Sequence, residues 1–412
     1  MTNLSTRDTL LQHAASVPLN EMDVSDFDLH EHNATAPYFE RLRHQDPVHY
    51  LADSPYGPFW SITKYDDIKA VHADNRRFSS EGSIHLEDRP EDYKIEMFLA
   101  MDEPRHGELR RAVFPAVSPK SLGGFEDIIR ARAITILDSL PVGETFNWVE
   151  RVSVEFTTQM LATLFNFPFE DRAKLTRWSD AAMSQEMPDE QRLQEFTECY
   201  TCFAELWKQR SEEEPSFDMI SMLAHSDVTK DMVNNPMELL GNILLLIVGG
   251  NDTTRNSISG GVLALNEFPK EYQKLRENLD VIPNMVSEII RWQTPFAYTR
   301  RTALEDVELG GKLIKKGDKV AAWYASGNRD ETVFPEPEKL IVDRPNARDQ
   351  ISFGFGVHHC MGSRFAEMQL RILWEEIMQR FEFIEVVGEA QRVRSNIVRG
   401  YSQLPVRLHP PK

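Results

Sequence analysis

The chain has 412 residues, 41% hydrophobic and 27% charged, ordinary globular proportions with enough apolar material for a large core. With 46 Lys and Arg against 65 Asp and Glu, the net charge of −19 argues against nucleic acid or an anionic membrane as the main partner. Three cysteines, Cys199, Cys202 and Cys360, are too few and odd in number for a disulfide framework, so a reducing, cytoplasmic setting is expected.

The first stretch is polar and acidic and lacks the basic start and apolar run of a signal peptide. Residues 1–35 are expected to form a loosely ordered arm ahead of one domain over 36–412. Residues 48–64 carry a Ser-Pro-Tyr-Gly-Pro turn between two β-rich runs and predict a hairpin, after which Tyr65 to His72 is helical. From about residue 105 to 300 the periodicity is mainly helical, broken at Pro141, Pro168, Pro188, Pro215, Pro236 and Pro269. One long helix is predicted from about Met237 to Phe268. Its run Ile243 to Val248, the most apolar in the chain, is too short to span a bilayer. Residues 302–322, with Gly310-Gly311 and Gly317, predict small strands. A helix from Ser363 to about Arg380 carries two apolar stripes, Phe365-Met368-Ile372 and Leu370-Leu373-Ile377, which predict burial on more than one side. The tail from Phe381 reads as β hairpins. The fold class is therefore mainly α with minor β, one large fold around a buried group.

The segment Phe353-Gly-Phe-Gly-Val-His-His-Cys-Met-Gly362 carries the most chemistry. Its glycines permit tight turns and close approach of backbone to a flat ligand. Loop N–H groups and the start of the following helix are expected to lower the Cys360 thiol pKa and favour the metal-binding thiolate. His358 and His359 crowd the cysteine, an awkward bite for one zinc ion. A lone cysteine in a turn is more often structural, but here Phe353, Gly356, His358, Cys360 and Gly362 complete the pattern Phe-x-x-Gly-x-His-x-Cys-x-Gly. That pattern resembles the heme-binding signature of the cytochrome P-450 superfamily, with Cys360 as the iron ligand.

Three further motifs extend the resemblance from about residue 36 to the end. Glu288 and Arg291, at i and i+3 on a helix, can pair. Alone this is a routine surface pair, but its place matches the superfamily's Glu-x-x-Arg helix, which implies a structural role. Gly249-Gly-Asn-Asp-Thr-Thr254 places two glycines mid-helix, each costing about 1 kcal/mol against alanine. The missing side chains leave room for a flat cofactor, and the resemblance makes Asp252 and Thr253 the acid and alcohol that manage protons. His106-Gly-Glu-Leu-Arg110, Arg301 and His358 match residues on the propionate side, where arginine suits carboxylates.

The resemblance implies heme b (iron protoporphyrin IX) and a monooxygenase that inserts one oxygen atom of O2 into C–H with two electrons and two protons. The chain has no Rossmann fingerprint and no cysteine set for an iron–sulfur cluster, so electrons are expected from a ferredoxin with its ferredoxin reductase. Arg110, Arg111, Lys120 and Arg364 are the candidate docking cations. By position, the substrate pocket is expected to use Ile84, Met97, Met101, Leu245, Val248, Gly249, Phe296, Ala297, Ile397 and Val398, an apolar set suited to binding by shape.

Several stretches, among them Glu96-Met-Phe-Leu-Ala-Met-Asp102 and Trp323-Tyr-Ala-Ser-Gly-Asn-Arg-Asp330, are similar to the bacterial alkane-hydroxylating cytochromes P-450, which oxidise terminal methyl groups of medium-chain alkanes. The chain departs from them at Glu103 and in a more acidic 180–200 segment. Alternatives are a fatty-acid omega-hydroxylase, with Arg399 or Gln185 near the mouth, or a terpenoid hydroxylase. A peroxygenase usually lacks an Asp-Thr pair, and a heme sensor would need an output domain. Cys199-Tyr-Thr-Cys202 is read as two packed helix cysteines rather than a redox pair.

Overall fold

The computed structural model describes residues 5–88, 96–184 and 186–411, with the Pro119 side chain left aside. Helix accounts for 55% of the chain and strand for 11%, the mainly α, minor β class expected. Among the described residues no helix is long and apolar enough to cross a membrane.

The organising element is the central helix, Pro236–Glu267. Pro236 opens it, and the Asn235 side chain accepts from the Glu238 N–H, satisfying one of the unpaired donors of the first turn. Its second glycine pair, Gly260-Gly261, was not singled out in the sequence. A Cβ on Gly260 would sit 2.4 Å from Gln293 Oε1, and one on Gly261 would sit 2.9 Å from Ile289 Cδ1. These glycines let the central helix cross close to the helix Ile282–Gln293. The helix Ser363–Arg380 falls where the pattern put it, with Phe365, Leu370, Ile372, Leu373 and Ile377 all buried. It packs along Glu126–Asp138, and Arg130 bridges to Glu375 at 2.7 Å and Glu376 at 2.6 Å.

The predicted hairpin is Val48–Leu51 against Phe59–Ile62, with Val48 opposite Ile62. Phe59–Ile62 runs parallel to Lys319–Ala322, which pairs antiparallel with Thr299–Ala303, and Phe78–Ser79 takes the far edge. The tail is less local than expected. Phe383–Val386 pairs with Pro405–His409, whose other edge takes Thr145–Asn147 from the helical middle of the chain. A three-residue strand has too little alternation to register in the sequence.

The N-terminal stretch departs from the loose arm expected. Residues 5–35 contain helices Thr6–Ser16 and Phe27–Glu31. Ala14, Val17, Met22, Val24 and Leu29 are buried in a second core with Trp323, Ala297, Ile397 and Val398. Polar composition hid the few apolar residues that do the packing.

Glu288 and Arg291 are both fully buried. Arg291 donates to Glu288 through Nε at 2.7 Å and Nη2 at 2.8 Å, and to the carbonyls of Asn328, Pro337 and Lys339. A third member, Arg344, donates from Nε to both Glu288 oxygens at 3.0 Å and to the Pro335, Glu336 and Lys339 carbonyls. The pair expected as structural thus holds the irregular 328–344 segment against the helix. Glu288→Gln leaves two buried guanidiniums without their counter-charge. It should cost about 3–5 kcal/mol, read as a lowered urea midpoint by tryptophan fluorescence.

The loop before Cys360 is pinned by Gly356. Its φ is +72°, and a Cβ there would lie 2.4 Å from the His72 carbonyl oxygen on the helix Tyr65–Ala73. Gly356→Ala therefore adds a left-handed strain and a backbone clash. A loss of at least about 1–3 kcal/mol is expected in thermal denaturation, with a smaller loss for alanine at Gly311, which shares the left-handed φ (+75°) but whose Cβ would meet open space.

Candidate active site

The Cys360 loop presents its sulfur to a cavity of about 300 Å³. The Cys360 N–H donates to the Phe353 carbonyl at 2.8 Å, which closes the loop. Burial pushes the Cys360 thiol up, while the Gly362 N–H, Arg110 and the Ser363 N–H pull it down. The sequence expectation of a lowered thiol is therefore corrected. The N–H groups are present, but desolvation by the surrounding protein outweighs them in the free thiol, even though Cys360 stays exposed to the cavity. A thiol in this state favours its thiolate only when a cation sits on the sulfur.

One end of the cavity is basic. Arg301 is buried and donates to the Arg300 carbonyl at 2.8 Å, with Nη2 3.1 Å from His72 Nδ1. Burial lowers its pKa from the ordinary arginine value. Arg110 donates to the His359 carbonyl at 2.6 Å. Neither guanidinium has a carboxylate partner among the described residues. His358 Nε2 meets Ser80 Oγ at 3.0 Å, and its buried Nδ1 has no partner. Burial, with Arg301, His106 and Arg110 nearby, holds this imidazole down at about 2, so it is neutral. His106, expected on the propionate side, has both ring nitrogens set against backbone carbonyls. Its Nδ1 lies 2.8 Å from the Phe98 carbonyl and its Nε2 3.1 Å from that of Val357, so it anchors the cysteine loop to the helix Arg105–Val113.

These residues fit a heme. Two unneutralised guanidiniums and an unsatisfied imidazole nitrogen suit a pair of carboxylates. The thiol suits iron, and the remaining wall, including Phe353, Phe365 and Leu370, suits an apolar macrocycle. Among the described residues there is no group of three or more His, Cys, Asp or Glu that holds a bare metal ion. Gly362 lines the cavity, whereas Gly356 does not; its contact is with the helix Tyr65–Ala73.

Across the cavity, Gly249, Gly250 and Thr253 line the wall, and no atom lies within 4 Å of a Cβ built on Gly249. The Thr253 hydroxyl donates to the Gly249 carbonyl at 2.9 Å. Asp252 does not face the cavity. It is buried, ion-paired with Arg255, and accepts from Ser179 Oγ at 3.1 Å. Arg255 in turn reaches Asp180 at 3.3 Å. Successive residues on a helix point about 100° apart, which turns Asp252 towards Arg255 and Ser179 while Thr253 lines the cavity.

Of the expected pocket residues, Ile84, Met97, Leu245, Val248, Gly249 and Phe296 line the cavity. Met101 packs at the edge of the main core instead. Ala297, Ile397 and Val398 belong to the second core, because the Ala297 N–H is bonded to the Ile397 carbonyl at 2.7 Å and turned away. Arg399 is also outside the cavity, and Gln185 lies outside the described residues. The sequence reading missed Leu161, Leu164, Met183, Phe196, Met219 and Leu244. They sit on amphipathic helices where a pocket side chain and a core side chain look alike. Cys199 and Cys202 are free thiols on the helix Asp189–Glu212, and burial pushes the Cys199 thiol well up.

A family model for cytochrome P450 matches residues 144–399. Linalool 8-monooxygenase of Pseudomonas putida is 33% identical over 404 residues, covering 94% of this chain and 99% of that protein. Cytochrome P450-153 from Novosphingobium aromaticivorans superposes with a TM-score of 0.90 at 44% identity, covering 94% of this chain and 100% of that one. CYP153D17 from Sphingomonas sp. PAMC 26605 gives a TM-score of 0.90 at 46% identity, covering 95% and 100%. With the thiol loop, the basic end and the glycine-lined helix all on one cavity, the chain belongs to the cytochrome P450 family.

Proposed function

We propose that this P450 hydroxylates the end of a linear apolar chain, the terminal methyl of medium-chain alkanes, using O2 and electrons from a ferredoxin. The observation that carries the substrate is the cavity wall. Among the described residues it contains no Asp, Glu or Lys, and its two arginines there, Arg110 and Arg301, both stand at the Cys360 end. Among the described residues a fatty-acid carboxylate meets no cation at the far end, since Arg399 is elsewhere. Similarity to the two P450-153 structures supports the subfamily resemblance seen in the sequence. Similarity to a linalool monooxygenase favours a second reading, a branched terpenoid alcohol.

Cys360 would hold heme b, with Arg110, Arg301 and His358 placed to take its carboxylates, and the bound group would supply the activation of O2 and its insertion into C–H. The N–H groups of Gly362 and Ser363 stabilise charge on the sulfur. Thr253 offers a hydroxyl at the cavity face. Asp252 stands behind it, joined through Arg255 to the half-exposed Asp180, a polar link from the outer surface to the helix. Leu245, Val248 and Phe296 exclude water and hold an alkyl chain by shape.

Titrating the ferric protein with octane, octanoate and linalool tests the substrate by the heme Soret band. A low- to high-spin shift is expected with octane at the lowest concentration; a shift with linalool alone overturns the linear-chain reading. Thr253→Val should keep that shift while reducing product per electron consumed on the order of a hundredfold. For the electron donor, Arg111, Lys120 and Arg364 are exposed and form no ion pair among the described residues. Lys120→Glu with Arg364→Glu should slow ferredoxin reduction on the order of tenfold at low salt, leaving dithionite reduction unchanged in stopped-flow traces.

A further inference from the structure

A second cavity, of about 200 Å³, shares no lining residue with the first. Five arginines line it, Arg7, Arg43, Arg329, Arg392 and Arg399, against two carboxylates, Glu267 and Glu338. In a chain of net charge −19, such a concentration of positive charge needs a physical reason. Two of the five are already answered. Arg43 pairs with Glu331 at 3.1 Å, and Arg329 lies 3.5 Å from Glu338. Arg7, Arg392 and Arg399 form no ion pair among the described residues.

Arg399 lies deepest of these three. Its Nη1 donates to the Gln293 carbonyl at 2.9 Å, and burial together with Arg392 holds its guanidinium down at about 10. Burial holds Arg329 lower, at about 9. Arg392 lies over the Tyr401 ring, 4.6 Å from its centroid, and donates to the Tyr401 hydroxyl at 3.2 Å. That stacking fixes the guanidinium plane and leaves further N–H groups to donate. Glu267 is the one remaining carboxylate without an ion pair, and burial raises its pKa. Three cations against one weakened anion leave the cavity about two charges positive. The start of the helix Ala36–Gln45, through Thr35 and Ala36, adds its dipole on the same side.

We infer that this cavity is a second binding site, for a small dianion of the phosphate class, held by Arg399, Arg392 and Arg7. Arginine forks match tetrahedral oxyanions through paired donors, and a dianion neutralises the excess charge where a single halide does not. Phe39, Leu11 and Trp292 form the less polar wall, where the organic part of a phosphate monoester would rest.

Calorimetric titration of the full, heme-loaded chain with inorganic phosphate, in chloride buffer at fixed ionic strength, tests the site. Saturable one-to-one binding is expected, weakened at least about tenfold in Arg392→Gln and in Arg7→Gln. Both side chains reach solvent, so folding is not at stake, and Lys230→Gln, which removes an equal charge outside the cavity, should leave affinity unchanged. Tighter binding of phenyl phosphate would assign the site to an ester; equal binding would assign it to free phosphate. Absence of saturable heat with either probe, or equal loss in Lys230→Gln, overturns the proposal.

Discussion

The structure depends on one buried carboxylate. Glu288 accepts from both Arg291 and Arg344 with no exposure to solvent. Through those guanidiniums it holds a run of carbonyls between Asn328 and Lys339 that belong to no helix or sheet. Irregular backbone in a protein interior must find donors or remain unsatisfied. Two arginines supply them in a fixed fork geometry, and Glu288 makes it tolerable to bury two positive charges. The segment leading to Cys360 is thereby set by one helix face rather than by its own propensities. Ser352 extends the same logic, donating to the Ile290 carbonyl at 2.9 Å and accepting from Asn328.

What the sequence could tell follows from what is local. The Cys360 loop, the helix Ser363–Arg380 and the Val48–Ile62 hairpin are written in adjacent residues, and they fold as read. Glu288 and Arg291 were legible because they are one turn apart; Arg344 was not, because its partner is over fifty positions away and nothing near it marks burial. The Gly260-Gly261 crossing was missed for the same reason, since its meaning lies in Gln293 and Ile289. Pocket residues were half legible. Ile84 and Val248 could be placed by motif, whereas Ile397 was misplaced because one backbone pairing with Ala297 turned it into a core.

Electrostatics divide the cavity into two functions. Among the described residues, cations gather on one side of Cys360 and are absent from the rest of the cavity wall. A cofactor with charged edges is oriented by the first region, and a neutral substrate is left to the second. Asp252 belongs to neither, being held by Arg255 behind the helix. Charge inside this fold is therefore kept either paired, as at Glu288, or aimed at a ligand.

The second core bears on folding. Phe296, a wall of the thiol cavity, is bridged to Val398 and backed by residues from the first thirty-five of the chain. Segments far apart in the chain must meet before that wall exists, and contacts of such long sequence separation carry the largest loop-closure cost. The open, thiol-bearing state that precedes closure is the form most exposed to oxidation and aggregation.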